Sequence, residues 1–68
     1  MEFDKKLFRK DIKTKRIIDQ EVSMDVASKQ IGISKATLSR AELGKNTTIE
    51  VFVKLLTWMS VSPYKYIK

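Results

Sequence analysis

An all-α fold of about five short helices packed as one unit is what this sequence predicts, and three observations lead there. Apolar residues recur at helical spacing in successive stretches of the chain. The two glycines and the single proline all stand where one such stretch gives way to the next. Residues 23–43 read as two short helices joined by a tight turn, a helix-turn-helix.

Size and composition limit what such a fold can do. The 68 residues make one small domain, spanning 1–68, with 43% hydrophobic content, and a core of that size rarely contributes more than about 3 to 5 kcal/mol. The chain has no cysteine and no histidine, which excludes disulfides and the commonest zinc sites, so neither metal nor cofactor is expected. With no carboxylate pair and no glycine loop at a catalytic spacing, an enzyme is not expected either. No window approaches the roughly 18 consecutive apolar residues of a membrane span. The N-terminus opens on charged residues rather than a signal sequence, so a cytosolic protein is expected. Fourteen Lys and Arg against eight Asp and Glu leave a net charge of +6, and the pI is about 9.8. That balance calls for a polyanionic partner, and RNA, DNA or anionic lipid would each answer to it.

The first helix is expected over about residues 3–20. Phe3, Leu7, Phe8, Ile12, Ile17 and Ile18 supply an apolar face, and lysines and arginines fill the gaps. Seven of the fourteen cations lie here. A basic amphipathic helix of this kind can bind a membrane surface or a calmodulin-like groove, but in a chain that runs directly into a small domain the apolar face is needed for the core. Ser23 is placed to cap the second helix, with Val22 packing back as a staple. Met24, Ala27 and Ile31 then share a face, and Ser28 beside them is small enough for close approach of a neighbour.

The turn is Ile31-Gly32-Ile33-Ser34. Gly32 can adopt the left-handed conformation that ends one helix, and Ser34 can cap the next by accepting from the amide of Thr37. In the following helix, about residues 35–43, Leu38 and Ala41 lie three apart and face inward. Lys35, Ala36, Thr37, Ser39 and Arg40 are left outward, a small, polar and basic face. Such a face can enter the major groove of DNA, where arginine pairs two-pronged with guanine and a methyl group touches thymine. It equally suits an ordinary solvated helix.

Gly44 is a natural stop for this helix, and Thr47 or Thr48 a natural cap for the next. The fourth helix, to about residue 60, carries two apolar stripes. Ile49, Phe52, Val53, Leu56 and Met59 make one, and Val51, Leu55 and Trp58 the other. One stripe suffices for the core of so small a domain. The second would line a subunit interface, unless Trp58 lies on its own domain. Ser62-Pro63 opens a short final helix, which ends with Tyr64, Tyr66 and Ile67.

Together these residues resemble the Cro and phage-repressor type of helix-turn-helix regulators, the XRE family. The resemblance rests on Gly32-Ile33-Ser34, Thr37-Leu38-Ser39-Arg40, Glu42, Gly44-Lys45, Thr48-Ile49-Glu50 and Val61-Ser62, and covers about residues 22–67. It implies a compact five-helix lambda-repressor-like domain that binds operator DNA as a homodimer, with Lys35, Ala36, Thr37, Ser39 and Arg40 facing the groove. It also implies phosphate contacts from Ser23, Met24 and Ser34, and from the loop Lys45, Asn46 and Thr47, with the helix dipole favouring an anion at Ser34.

Four positions depart from the family pattern. Ala27 and Ser28 replace a large aliphatic residue followed by alanine, Ala41 replaces isoleucine or valine, and Met24 replaces a glutamine. Space left in the core would be filled by Val26, Ile33 or the bulky residues of the fourth helix. A rival expectation keeps the fold and changes the partner, giving an antitoxin or anti-repressor that holds another protein on the Val51, Leu55, Trp58 strip.

Overall fold

Each helix begins where the sequence supplies a side-chain cap. The computed structural model describes residues 2–45 and 47–68, and within them four α-helices follow one another: α1 (Lys5–Thr14), α2 (Met24–Ile31), α3 (Lys35–Glu42) and α4 (Ile49–Met59). Asp4 caps α1 by accepting from the Leu7 amide at 3.1 Å. Ser23 accepts from Val26 at 3.3 Å, Ser34 from Thr37 at 3.1 Å, and Thr48 from Val51 at 3.2 Å. Each bond satisfies one of the amides that a helix start leaves without a partner.

The stops are equally local. Gly32 and Gly44 sit at φ +89° and +80°, where a side chain would be strained. Past each of them the chain folds back onto its helix, with the Ile33 amide donating to Ser28 O at 3.0 Å and the Lys45 amide to Arg40 O at 3.0 Å. These are Schellman closures, and they set the bend between α2 and α3 and the exit from α3.

The ends of the first and last expected helices differ from the sequence reading. Phe3 lies outside α1 and forms an antiparallel bridge with Ile67, and the Lys68 amide donates to Glu2 O at 2.8 Å, so the two ends of the chain run side by side. Beyond Thr14 the helix widens into a π-turn, Lys15–Asp19, in which the Gln20 amide reaches Lys15 O at 2.9 Å. Ile17 and Ile18 therefore do not join the apolar face; they are 53% and 70% exposed. The position one turn beyond Phe8 and Ile12 at i+4 spacing is Arg16. The final helix is a single 3-10 turn, Pro63–Tyr66, because the chain at Ile67 straightens to pair with Phe3. Among the described residues there are thus four α-helices rather than five helices of one kind.

The core is built from one face of each helix. Phe8 and Ile12 of α1, Ala27 and Ile31 of α2, Leu38 and Ala41 of α3, and Leu55, Leu56 and Met59 of α4 are buried, together with Tyr66. At one end four aromatic rings meet: Phe8 lies 5.2 Å from both Phe52 and Tyr66, and Phe3 lies 5.5 Å from Phe8 and Phe52. Tyr66 is fully buried, and its hydroxyl donates to Asp11 Oδ2 at 2.9 Å, an oxygen that Lys65 also approaches at 2.9 Å. Burial, and then the Asp11 carboxylate, push the Tyr66 phenol well above the ordinary tyrosine range.

The alanines at 27 and 41 are both buried, and Ala41 lines a cleft with Phe8, Arg9, Gly44 and Phe52. Ile33 and Met24 pack against the core, whereas Val26 is 43% exposed and takes no part. Ser28, buried at 4% exposure, satisfies its hydroxyl by donating to Asp25 O at 2.8 Å.

The two stripes of α4 are also redistributed. Leu55 is wholly buried, Val51 and Trp58 pack against the core, and Trp58 Nε1 donates to Gln30 Oε1 of α2 at 3.2 Å. Leu55 is therefore part of this chain's own core and is not open to a second subunit or a partner protein, while Val51 and Trp58 stand half-buried at its rim. Ile49 and Val53, assigned to the inward stripe, are instead 83% and 52% exposed. The helix is turned so that Leu55 and Leu56 together face inward.

Candidate nucleic-acid interface

The bend at Gly32 leaves α3 with one face inside and one outside. Leu38 and Ala41 are 0% and 2% exposed and hold the helix to the core. Lys35, Ala36 and Arg40 are exposed, and Thr37 and Ser39 are half-buried at the edge of the same outer face. Thr37 Oγ1 lies 2.7 Å from Ser34 Oγ, so its hydroxyl is tied to the cap. Of the five residues expected to face outward, Lys35, Ala36 and Arg40 are thus open to solvent and Thr37 and Ser39 only partly so.

Arg40 carries no ion pair among the described residues. The two carboxylates nearest it in sequence are both engaged elsewhere: Glu42 with Arg16 at 2.7 Å, and Glu50 with Lys54 at 3.4 Å. A guanidinium that is exposed and unpaired keeps its five donors available for an external acceptor.

Glu42 itself points inward. Its side chain is 2% exposed, and that of Arg16 16%; Arg16 Nε donates to Oε2 at 2.7 Å and Nη2 to Oε1 at 2.9 Å. This two-pronged pair joins the end of α1 to the last turn of α3, and the hydrogen bond to Glu42 raises the Arg16 guanidinium above its ordinary value against the opposing effect of burial. Residue-by-residue reasoning missed it by assigning charged side chains to solvent. The signal that could have found it is spacing, since positions 8, 12 and 16 fall on one face of a helix and a cation there demands a buried acid.

The residues expected to touch phosphate form a looser set. Ser23 and Ser34 are exposed at the starts of α2 and α3, each hydroxyl already accepting from its helix, with the first amides of the helix beside it. Met24 is half-buried against the core, and a thioether offers no strong hydrogen bond, so its backbone is the relevant group. Lys45 is exposed and Thr47 half-buried in the segment after α3. Asn46 lies outside the described residues.

Charge is distributed unevenly around this site. Six of the fourteen cations pair with carboxylates, at Lys15, Arg16, Lys29, Lys54, Lys65 and Lys68. The other eight belong to α1, to α3 and to the segment after α3. Among the described residues, no helix is long and apolar enough to cross a membrane.

A family model described as helix-turn-helix (HTH_3) matches residues 12–64, well over half of the chain. The match begins within α1, takes in α2, α3 and α4, and ends in the final turn. No curated protein and no solved structure matches the chain significantly.

Proposed function

The chain belongs to the XRE family of helix-turn-helix regulators, the Cro and phage-repressor type, and from that premise we propose that it is a sequence-specific operator-binding regulator whose α3 enters the major groove. The observation that carries this is Arg40: exposed, unpaired among the described residues, and set on a face otherwise made of Lys35, Ala36, Thr37 and Ser39. Short neighbours let the helix sink into the groove, and Arg40 then pairs with the O6 and N7 acceptors of a guanine. Lys45, and the helix starts at Ser23 and Ser34, hold phosphates on either side and fix the register.

The regulator acts as a homodimer on a roughly palindromic site, its two copies of α3 about 34 Å apart, one turn of B-DNA. Selection of bound sites from a random DNA pool tests this. The expected result is a two-fold symmetric sequence with a guanine in each half-site and half-site centres about 10 base pairs apart. Recovery of no preferred sequence refutes sequence-specific readout, and recovery of an unpaired half-site refutes the dimer.

A further inference from the structure

The cations of α1 are arranged in a way that neither the core nor the outer face of α3 accounts for. Lys6, Arg9, Lys10 and Lys13 stand at i, i+3, i+4 and i+7, the spacing that places side chains on one face of a helix. In an amphipathic helix that pattern marks the apolar face. Here the apolar residues Phe8 and Ile12 take a separate face, and the four cations line one shallow concavity together with Thr14 and the edge of Glu42. Lys6, Lys10 and Lys13 are exposed and Arg9 half-buried.

None of the four is in an ion pair among the described residues, and Glu42 is already neutralised by Arg16. Four like charges on two turns of helix repel one another. A compact domain with little stability to spare carries that cost with no ion pair among the described residues to offset it.

This face is continuous with α3. Arg9 Nη1 donates to Leu43 O at 3.4 Å, and its side chain lies over Gly44, where an added Cβ would come within 2.7 Å of Arg9 Cδ. Lys5 and Arg9 also line a cleft with Gly44, Lys45 and Thr47. A basic track thus runs from the segment after α3, across Arg9, and along α1.

We propose that the Lys6, Arg9, Lys10, Lys13 face of α1 is a second polyanion-binding surface, which grips the phosphate backbone of the duplex flanking the base pairs that α3 reads. It rests on the DNA-binding function proposed above. Seven residues of helix span about 10 Å at 1.5 Å each, and one DNA strand presents a phosphate about every 3.4 Å along the axis, so the face matches about three phosphates. Regularly spaced unpaired cations of this kind complement an evenly charged rod.

The test compares wild type with a Lys6→Gln/Lys10→Gln/Lys13→Gln variant on duplexes of about 16 and about 30 base pairs that each carry the site selected above, the shorter one lacking flanks. Affinity is measured by fluorescence anisotropy as salt rises. On the longer duplex the slope of log K against log salt is expected to fall by about 2.7 for each bound subunit, at about 0.9 per phosphate. Between 50 and 200 mM salt the variant therefore loses about 40-fold less affinity per bound subunit than wild type. On the shorter duplex the two proteins are expected to behave alike.

The exposed positions make folding of the variant a minor concern, and a thermal melt confirms it. An unchanged slope on the longer duplex overturns the proposal, and so does an equal loss on both lengths, which would mean a general charge effect. The DNA-binding function fails separately, through a wild type that binds neither duplex at low salt.

Discussion

Breaking the Arg16–Glu42 pair from one side should be far more damaging than removing it whole. Arg16→Met leaves the Glu42 carboxylate, 2% exposed, without a partner, and a buried charge stripped of its counter-ion costs about 3 kcal/mol or more. Glu42→Leu is milder, at about 1 to 2 kcal/mol, because the Arg16 side chain at 16% exposure lies near enough to water to swing its guanidinium out along an apolar stem. The double variant places two apolar side chains of similar volume against each other and should fall within about 1 kcal/mol of wild type. The implied coupling is about 3 kcal/mol, at the upper end for residues in direct contact.

A domain this small holds about 3 to 5 kcal/mol in total, so Arg16→Met should be close to half unfolded at room temperature while the double variant is not. Urea titration followed by Trp58 fluorescence and by circular dichroism reads all four proteins. With a slope of about 1 kcal/mol per molar, Arg16→Met should move the midpoint down by about 3 M. Two single variants whose losses simply add in the double would refute the account, and so would an Arg16→Met that costs under about 1 kcal/mol.

Two further outcomes follow from backbone and side-chain chemistry. Gly32→Ala meets no atom within 4 Å of the new Cβ, so its cost is conformational only, about 1 to 2 kcal/mol for an L residue at positive φ. A thermal melt should show a clear fall, and an unchanged midpoint would mean that the turn can be rebuilt without left-handed backbone. For Tyr66 the folded pKa is raised above its ordinary value of 10.0, so its contribution to stability is complete below that pH and is lost as pH climbs beyond it, where only the unfolded chain ionises readily. Tyr66→Phe should remove the part of alkaline unfolding that coincides with tyrosinate absorbance, and persistence of that coincidence in the variant would contradict the burial argument.

How much of this the sequence revealed depends on how local the cause is. The caps at Ser23, Ser34 and Thr48 and the stops at Gly32 and Gly44 involve residues within a few positions of each other, and their chemistry is legible as letters. The inward Leu38 and Ala41 followed from spacing alone. What was not legible depends on partners distant along the chain. Ile17 and Ile18 look like core by type, but the widened turn at Lys15–Asp19 and the Arg16 link to Glu42 set the register instead. Phe3 looks like helix, yet it serves the aromatic cluster through a bridge to Ile67, at the far end of the chain. The Val51, Leu55, Trp58 strip looked surplus because periodicity cannot say which of two apolar stripes meets the rest of the protein. Of the candidate interface, the outer face of α3 was legible, while the pairing that leaves Arg40 without a carboxylate required the fold.

The central claim is that α3 reads bases and the segment after it holds the backbone. The most direct measurement compares Arg40→Ala with Lys45→Ala on a selected operator and on random duplex, across a range of salt. Arg40→Ala should cut the preference for operator by about 1 to 3 kcal/mol, or about 5- to 150-fold, with its salt dependence nearly intact. Lys45→Ala should weaken both duplexes alike and reduce the salt slope by about 0.9 per bound subunit. Identical behaviour of the two variants would contradict the division of roles, and an unaltered preference in Arg40→Ala would remove Arg40 from base readout altogether.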